Sequence, residues 1–449
     1  MGVATLRMGA GRGRLASAAL ALGLLFAWLL SVPLSGPVLA RSSAPGLGAL
    51  TAAEAFALAH GLSLLALGLW ALRRPLPGLC PWAGPVTAAL GLVMAAAPTG
   101  WWPPLLLLAG ATSAAAVLVV ACAIARLAWA ERPWAIALGA LLANVPLYVT
   151  ALPEAPLPDR PLAAALALGP LMVPLLLPRD AGGEGVRGGS WWPLPALVPA
   201  AFATYLVGGL MYSLVLPTLG SLGLHVGVMP YMALLPLAAW VAGRWGWARA
   251  LRPGPALLGL GFVAWALAGG GGRELAAQGL VVGGYAFLDV PFWAAFAGGR
   301  RPAASLGLGL GAMVMAIFAG MALGERWAAA AQGREEEAAL AAAACLLLAA
   351  LVLPAWTEGR DGRAAAGASL APTDGLRLSR REAQVLSLAV RGLSNKEIAG
   401  MTGLSGGTVR KVLERAYRKL GVRGRLEAAA RLYGQEQVSA GDGGGDRVA

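Results

Sequence analysis

Two sets of residues in this 449-residue sequence have the types and spacing to do chemistry. One is a basic set near the C-terminus: Lys396, then Thr408, Arg410, Lys411, Arg415, Arg418 and Lys419, with Ser405 just ahead of the run. Residues three and four apart share a helix face, so these cations can form one phosphate-seeking surface. The other is a lone acid, Asp289, in the apolar run Gly284-Tyr285-Ala286-Phe287-Leu288-Asp289-Val290-Pro291-Phe292. A carboxylate in mid-bilayer costs roughly 2.5–3.5 kcal/mol on insertion scales, so it must face a cavity or a partner. Tyr285 lies one turn earlier on the same face, and Pro291 invites a kink. Asp289, Tyr285 and, in a separate apolar run, His60 are the candidate ligand-binding residues; neighbouring helices could equally take up their hydrogen bonds.

Other chemistries lack their residues. Cys80, Cys122 and Cys345 sit in apolar blocks without metal-ligand spacing, as small buried hydrophobes do. The glycine run Gly269–Gly272 lacks the Gly-Lys-Ser/Thr ending of a phosphate-binding loop. No catalytic residue, metal site or cofactor is expected, and the chain does not read as an enzyme.

The elements that must position these residues are set by composition. Only 13% of residues are charged and 58% are hydrophobic, whereas a soluble protein carries about 25% charged residues. The apolar residues come in blocks of about 18–25, the length that crosses a bilayer as a helix. The blocks predict helices at about 15–33, 54–72, 80–98, 103–125, 133–153, 161–178, 192–217, 227–243, 255–269, 275–297, 303–323 and 336–354. Val38-Leu39-Ala40 could serve as a signal cleavage site, but the preceding apolar stretch exceeds the usual 7–15 residues, which favours a first membrane helix.

Loop charges orient these spans, because Lys and Arg concentrate on the cytoplasmic side. Of the 19 arginines before residue 355, 14 (Arg7, Arg73, Arg132 and Arg301 among them) fall on one side and 5 (Arg41, Arg160, Arg273, Arg326, Arg334) on the other. The expectation is a multi-pass protein of the cell inner membrane with both termini in the cytoplasm. The long polar loop Arg179–Ser190 separates six helices from six. That arrangement, with the loop Gly243-Arg244-Trp245-Gly246-Trp247-Ala248-Arg249, resembles the two parallel halves of the major facilitator architecture. Leu72-Arg73-Arg74-Pro75, the equivalent loop of the first half, lacks the family's Asp.

Composition changes after Pro354. Residues 355–375, rich in Gly, Ala and charge, read as a flexible linker spanning on the order of 25 Å as a coil. Residues 376–437 carry 13 Lys and Arg against 5 Glu. Ser379 with Glu382 forms a capping box, Ser394 and Ser405 cap two further helices, and Gly392 and Gly421 end helices. Val409, Leu413, Ala416 and Leu420 recur at helical spacing on one face of the third helix, and a fourth helix begins near Arg425. Residues 438–449 read as a disordered tail.

Leu378-Ser379-x-Arg381-Glu382, Gly392-Leu393-Ser394-Asn395-Lys396-Glu397-Ile398-Ala399, Thr408-Val409 and Arg418-Lys419-Leu420-Gly421-Val422 resemble the LuxR/GerE-type DNA-binding domain. The resemblance implies a bacterial transcription regulator whose third helix reads the major groove of double-stranded DNA and whose fourth commonly mediates homodimerisation. It places Thr408, Arg410 and Lys411 toward the groove and Lys396 toward the DNA backbone, with Ser405 and Arg415 beside them. The sequence departs from the family at Gly406-Gly407, Val412, Glu414 and Thr402.

The expected fold is therefore all-α: a transmembrane bundle of about twelve helices over 1–354, then a small four-helix DNA-binding domain over 376–437. The expected function is a membrane-bound one-component transcriptional regulator whose bundle senses a small-molecule ligand or a membrane signal. The alternative is a major-facilitator-like transporter with an auxiliary DNA-binding tail. A third possibility is a tether holding a chromosomal locus at the bilayer.

Overall fold

A computed structural model describes residues 2–351, apart from 35, 43, 77–79, 153–158, 178–192, 215–223, 268–271, 300, 331–333 and 335, and residues 378–428, apart from 391–394, 403 and 426. The linker, the tail, the Arg179–Ser190 loop, and Gly392 and Ser394 lie outside the described residues. The chain divides into two compact units, Met1–Thr357 and Glu358–Ala449.

In the first unit, each apolar segment read from the sequence lies on a helix. These are α1 (Gly2–Ser31), α2 (Ala52–Ala71), α3 (Cys80–Ala96), α4 (Trp102–Ala125), α5 (Arg132–Thr150) and α6 (Asp159–Ala167). They continue with α7 (Pro193–Leu214), α8 (Leu224–Trp245), α9 (Pro253–Ala266), α10 (Gly272–Ala297), α11 (Pro302–Ala330) and α12 (336–351). Among the described residues, seven helical spans are long and apolar enough to cross a membrane, and Trp82–Ala96 and Leu197–Leu210 are shorter apolar helices. No strand occurs among the described residues, only an isolated bridge between Leu47 and Leu50. An all-helical solution is what hydrocarbon demands, since a helix bonds its own backbone groups. One prediction was too smooth. The sixth segment is not a single helix: α6 gives way to a 3₁₀ turn at Pro170–Met172 and a short helix at Val173–Leu176. Pro170 and Pro174 lack the N–H groups that a continuous helix would need there.

Small residues set the closest crossings. A Cβ on Gly68 of α2 would stand 2.6 Å from the Leu308 nitrogen of α11, and one on Gly307 would stand 2.7 Å from the Gly68 Cα. Gly311, one turn on, meets Leu65, so the Gly307-x-x-x-Gly311 spacing is a helix-packing face. Gly209 of α7 and Gly320 of α11 repeat the device.

Polar contacts at the helix ends join loops that the charge pattern assigns to one side. Arg132 Nη1 donates to the Ala297 carbonyl at 3.3 Å, and Arg301 Nη1 donates to the Leu72 carbonyl. Both bonds cross between α1–α6 and α7–α12. At the other face, Arg41 pairs with Asp159 at 2.6 Å and donates to the Thr150 carbonyl at 3.0 Å.

In the second unit, α13 (Arg380–Val390), α14 (Asn395–Thr402) and α15 (Gly406–Leu420) surround a small core. Val385, Leu386, Leu388, Ala389, Ile398, Val409, Leu413, Ala416 and Leu420 form it, with Val412 and Ala428. The capping box is present: Ser379 N–H donates to Glu382 Oε2 at 2.8 Å, and Glu382 N–H donates to Ser379 Oγ at 3.2 Å. Gly421 ends α15 with φ 63°, the left-handed conformation that glycine adopts without strain. Helix resumes at Arg425, where Arg423 N–H donates to Glu427 Oε2 at 2.7 Å.

Glu382 has a second partner, Lys419 Nζ at 2.7 Å, which fastens the start of α13 to the end of α15. The Lys419 hydrogen bond, and after it the Ser379 N–H, hold the Glu382 carboxyl below the usual carboxylate range. A depressed folded value means the stabilisation is complete above the unfolded carboxylate value, and is lost as pH falls through the folded one. Thermal melts of residues 358–449 should therefore show falling stability below about pH 4.3, and Glu382→Gln should flatten that acid limb. An unchanged limb in the variant would remove Glu382 as its source.

Candidate functional site

The basic surface of α15 is built by its amphipathicity. Val409, Val412, Leu413, Ala416 and Leu420 are buried, which turns Thr408, Arg410, Lys411, Glu414, Arg415 and Arg418 to solvent. The helix starts from Ser405, whose Oγ accepts from Thr408 N–H at 3.1 Å and lies 2.8 Å from Thr408 Oγ1. Arg410 Nε donates to Glu414 at 3.1 Å, but the two side chains are 77% and 56% exposed. Such a surface pair is worth about 0–1 kcal/mol, so Arg410 remains free to exchange it for a phosphate or base edge. Arg415 Nε reaches only the Lys411 carbonyl, at 3.3 Å. Lys396 lies on α14.

Two sequence expectations change here. Lys419 was counted in the basic face but is engaged with Glu382, so it belongs to the domain's internal framework. Val412, one of the family departures, is buried at 6% exposure and takes no part in the exposed surface. Thr402, another of the family departures, satisfies its hydroxyl on the Ile398 carbonyl at 2.7 Å.

The bundle contains two separate polar constellations. Asp289 of α10 accepts from Tyr205 of α7 through Oδ1 and from Tyr231 of α8 through Oδ2, the latter at 2.7 Å. Tyr285 lies beside them, its ring centroid 5.8 Å from that of Tyr205. Tyr285 thus reaches this cluster through Tyr205, the donors to Asp289 come from other helices, and Tyr231 was missed. Its only signal is a tyrosine next to Pro230 in an apolar run.

His60 stands apart. Its Nδ1 lies 2.8 Å from Ser113 Oγ and 3.2 Å from the Gly110 carbonyl, both on α4, and its ring stacks on Phe56 with centroids 5.7 Å apart. That is a satisfied interhelical contact, and the structure brings His60 no nearer to Asp289 through any shared partner. Asn144 donates within its own helix, to the Ala140 carbonyl at 2.8 Å. Among the described residues, no group of three or more His, Cys, Asp or Glu could hold a metal ion.

With this geometry in view, residues 376–432 match the family of bacterial regulatory proteins, luxR family. The chain carries a LuxR-type DNA-binding domain. No curated protein is significantly similar to the chain in sequence. In structure, it is similar to the human organic anion transporter MFSD10 (TETRAN), at 17% identity and TM-score 0.56, over 76% of this chain and 99% of that one. It is also similar to the major facilitator superfamily transporter FucP in the outward conformation, at 15% identity and TM-score 0.54, over 77% and 99%. A bacterial homologue of the iron transporter ferroportin, outward-facing with soaked iron, aligns at 14% identity and TM-score 0.53, over 78% and 99%. The bundle therefore has the major facilitator fold, and these identities speak to fold alone. A LuxR-type domain and a major-facilitator-like membrane bundle share one chain.

The paired glycines at the start of α15 are open to substitution. A Cβ on Gly406 would meet nothing within 4 Å, and one on Gly407 only Ser405 Oγ at 3.9 Å. Glycine in a helix is about 0.5–1 kcal/mol less favourable than Ala. Gly407→Ala should raise the stability of the LuxR-type domain by about 0.5 kcal/mol in chemical denaturation. A loss of stability would mean that the first turn is not the helix described.

Proposed function

We propose that this protein is a membrane-bound one-component transcriptional regulator. A ligand or membrane signal taken up by residues 1–354 controls sequence-specific binding of double-stranded DNA by residues 376–437. The observation that carries the reading is α15, with its apolar face buried and Thr408, Arg410, Lys411 and Arg415 exposed on the other. A helix presenting cations and hydroxyls from a capped N-terminus suits insertion into the major groove. In this reading Ser405 and Lys396 contact the DNA backbone, while residues 355–375 act as a flexible tether. Two copies pair through the helix that begins at Arg425. The bundle lies in the cell inner membrane with both termini in the cytoplasm.

Regulation requires the bundle to have two states and the ligand to bind them unequally, since only differential affinity shifts an equilibrium. The Arg132–Ala297 and Arg301–Leu72 bonds hold one end of α1–α6 against α7–α12. They are the contacts that a rocking motion between halves would have to break. A second reading, a transporter with an auxiliary DNA-binding tail, is favoured by the major facilitator fold itself. Substrate flux in proteoliposomes that Asp289→Asn abolishes would favour it.

DNA binding by the full-length protein in nanodiscs should weaken steeply with salt as phosphate contacts release counterions. Arg410→Ala with Lys411→Ala should abolish preference for a target site over random sequence, and should lower the salt slope by about two per domain. Unchanged selectivity in that double variant would rule out this face of α15 as the reading surface.

A further inference from the structure

The Asp289 carboxylate is held by two neutral donors. Its two oxygens each accept from a tyrosine hydroxyl, one on α7 and one on α8, and among the described residues no basic side chain pairs with it. Its surroundings are aromatic. Tyr205 packs against Tyr285 at 5.8 Å and against Phe292 at 6.1 Å, so three buried aromatic rings cluster beside the acid.

The acid keeps part of its own surface within an otherwise enclosed span. Leu275–Ala297 is the most enclosed of the seven spans, 78% buried, and Leu288 and Val290 on either side of Asp289 are both 0% exposed. Asp289 and Tyr231 nevertheless keep part of their surface. On the same face of α10, three turns earlier, Gln278 is 3% exposed and its Oε1 has no hydrogen-bond partner among the described residues.

From this geometry we infer that the Asp289 site binds an organic cation, a protonated amine or quaternary ammonium carried on an apolar body. Carboxylate and aromatic faces attract the same charge, and the attraction strengthens where water is excluded. A small hard metal ion is the poorer fit, since it takes six to eight oxygen ligands and the hydroxyls nearest this carboxylate turn their hydrogens to it. An anion would meet an uncompensated negative charge, and a neutral apolar solute would leave that charge as it is. The inference names a ligand class for the bundle and so rests on the reading that the bundle takes up a ligand.

The test uses the purified full-length protein in nanodiscs with radiolabelled tetraphenylphosphonium as the probe. The expected result is saturable binding, displaced by unlabelled tetraphenylphosphonium but not by neutral triphenylphosphine oxide. Asp289→Asn should weaken binding by about tenfold or more, equivalent to one 1.4 kcal/mol step. Asp289→Glu, which keeps the charge, should retain it, and thermal melts confirm that each variant is folded. Equal affinity in a folded Asp289→Asn protein, equal displacement by the neutral compound, or no saturable binding to the folded wild type would each overturn the site. DNA affinity of the same preparations, with and without the probe, reports on regulation alone, so a failed site and a failed regulatory reading are told apart.

Discussion

A peptide group in hydrocarbon has no water to bond, and leaving one unpaired costs several kcal/mol. That penalty governs the first unit of this chain. It forces each apolar block into a helix that bonds its own backbone, and it leaves helix association to close packing. The bare glycines of α2, α7 and α11 supply that packing, letting backbones approach to distances that any Cβ would block. Where prolines remove donors, as at Pro170 and Pro174, the sixth helix breaks.

The same penalty gives meaning to the few polar side chains inside. Ser113 and His60 satisfy one another, as do Thr87 and Thr112 at 3.0 Å. Asp289 is different because both its oxygens accept from neutral hydroxyls and no basic side chain among the described residues pairs with it. In the second unit water is available and the logic reverses. Cations stand exposed on α15, and the buried acid Glu382 is paired with Lys419 and bonded within its own cap. The two units therefore treat charge in opposite ways, which suits a bundle that takes up a ligand and a domain that meets phosphates.

Much of this was legible in the sequence because its signals are local. Apolar length marked the helices of the bundle, and capping residues marked those of the terminal domain. The i, i+4, i+7 pattern of Val409, Leu413 and Ala416 separated the buried face of α15 from its exposed one. What escaped depends on partners far along the chain. Tyr231 lies 58 residues from Asp289, and nothing in its own neighbourhood reports the meeting. Lys419 shares the spacing of the basic face but is drawn away by Glu382, 37 residues earlier. His60 stands out in the sequence as a rare ionisable residue in an apolar run, and the contact of its Nδ1 with Ser113, 53 residues on, could not be read there.

In the proposed function, the bundle governs where and when the LuxR-type domain sits on DNA. The most direct test is chromosome-wide occupancy of the intact protein, measured beside a chimera in which an unrelated membrane anchor replaces residues 1–354. The account predicts that both proteins recognise the same sequence motif. Occupancy of the intact protein should vary with growth condition, whereas that of the chimera should stay fixed. Identical condition-dependent occupancy in both would reduce the bundle to an anchor and contradict the account.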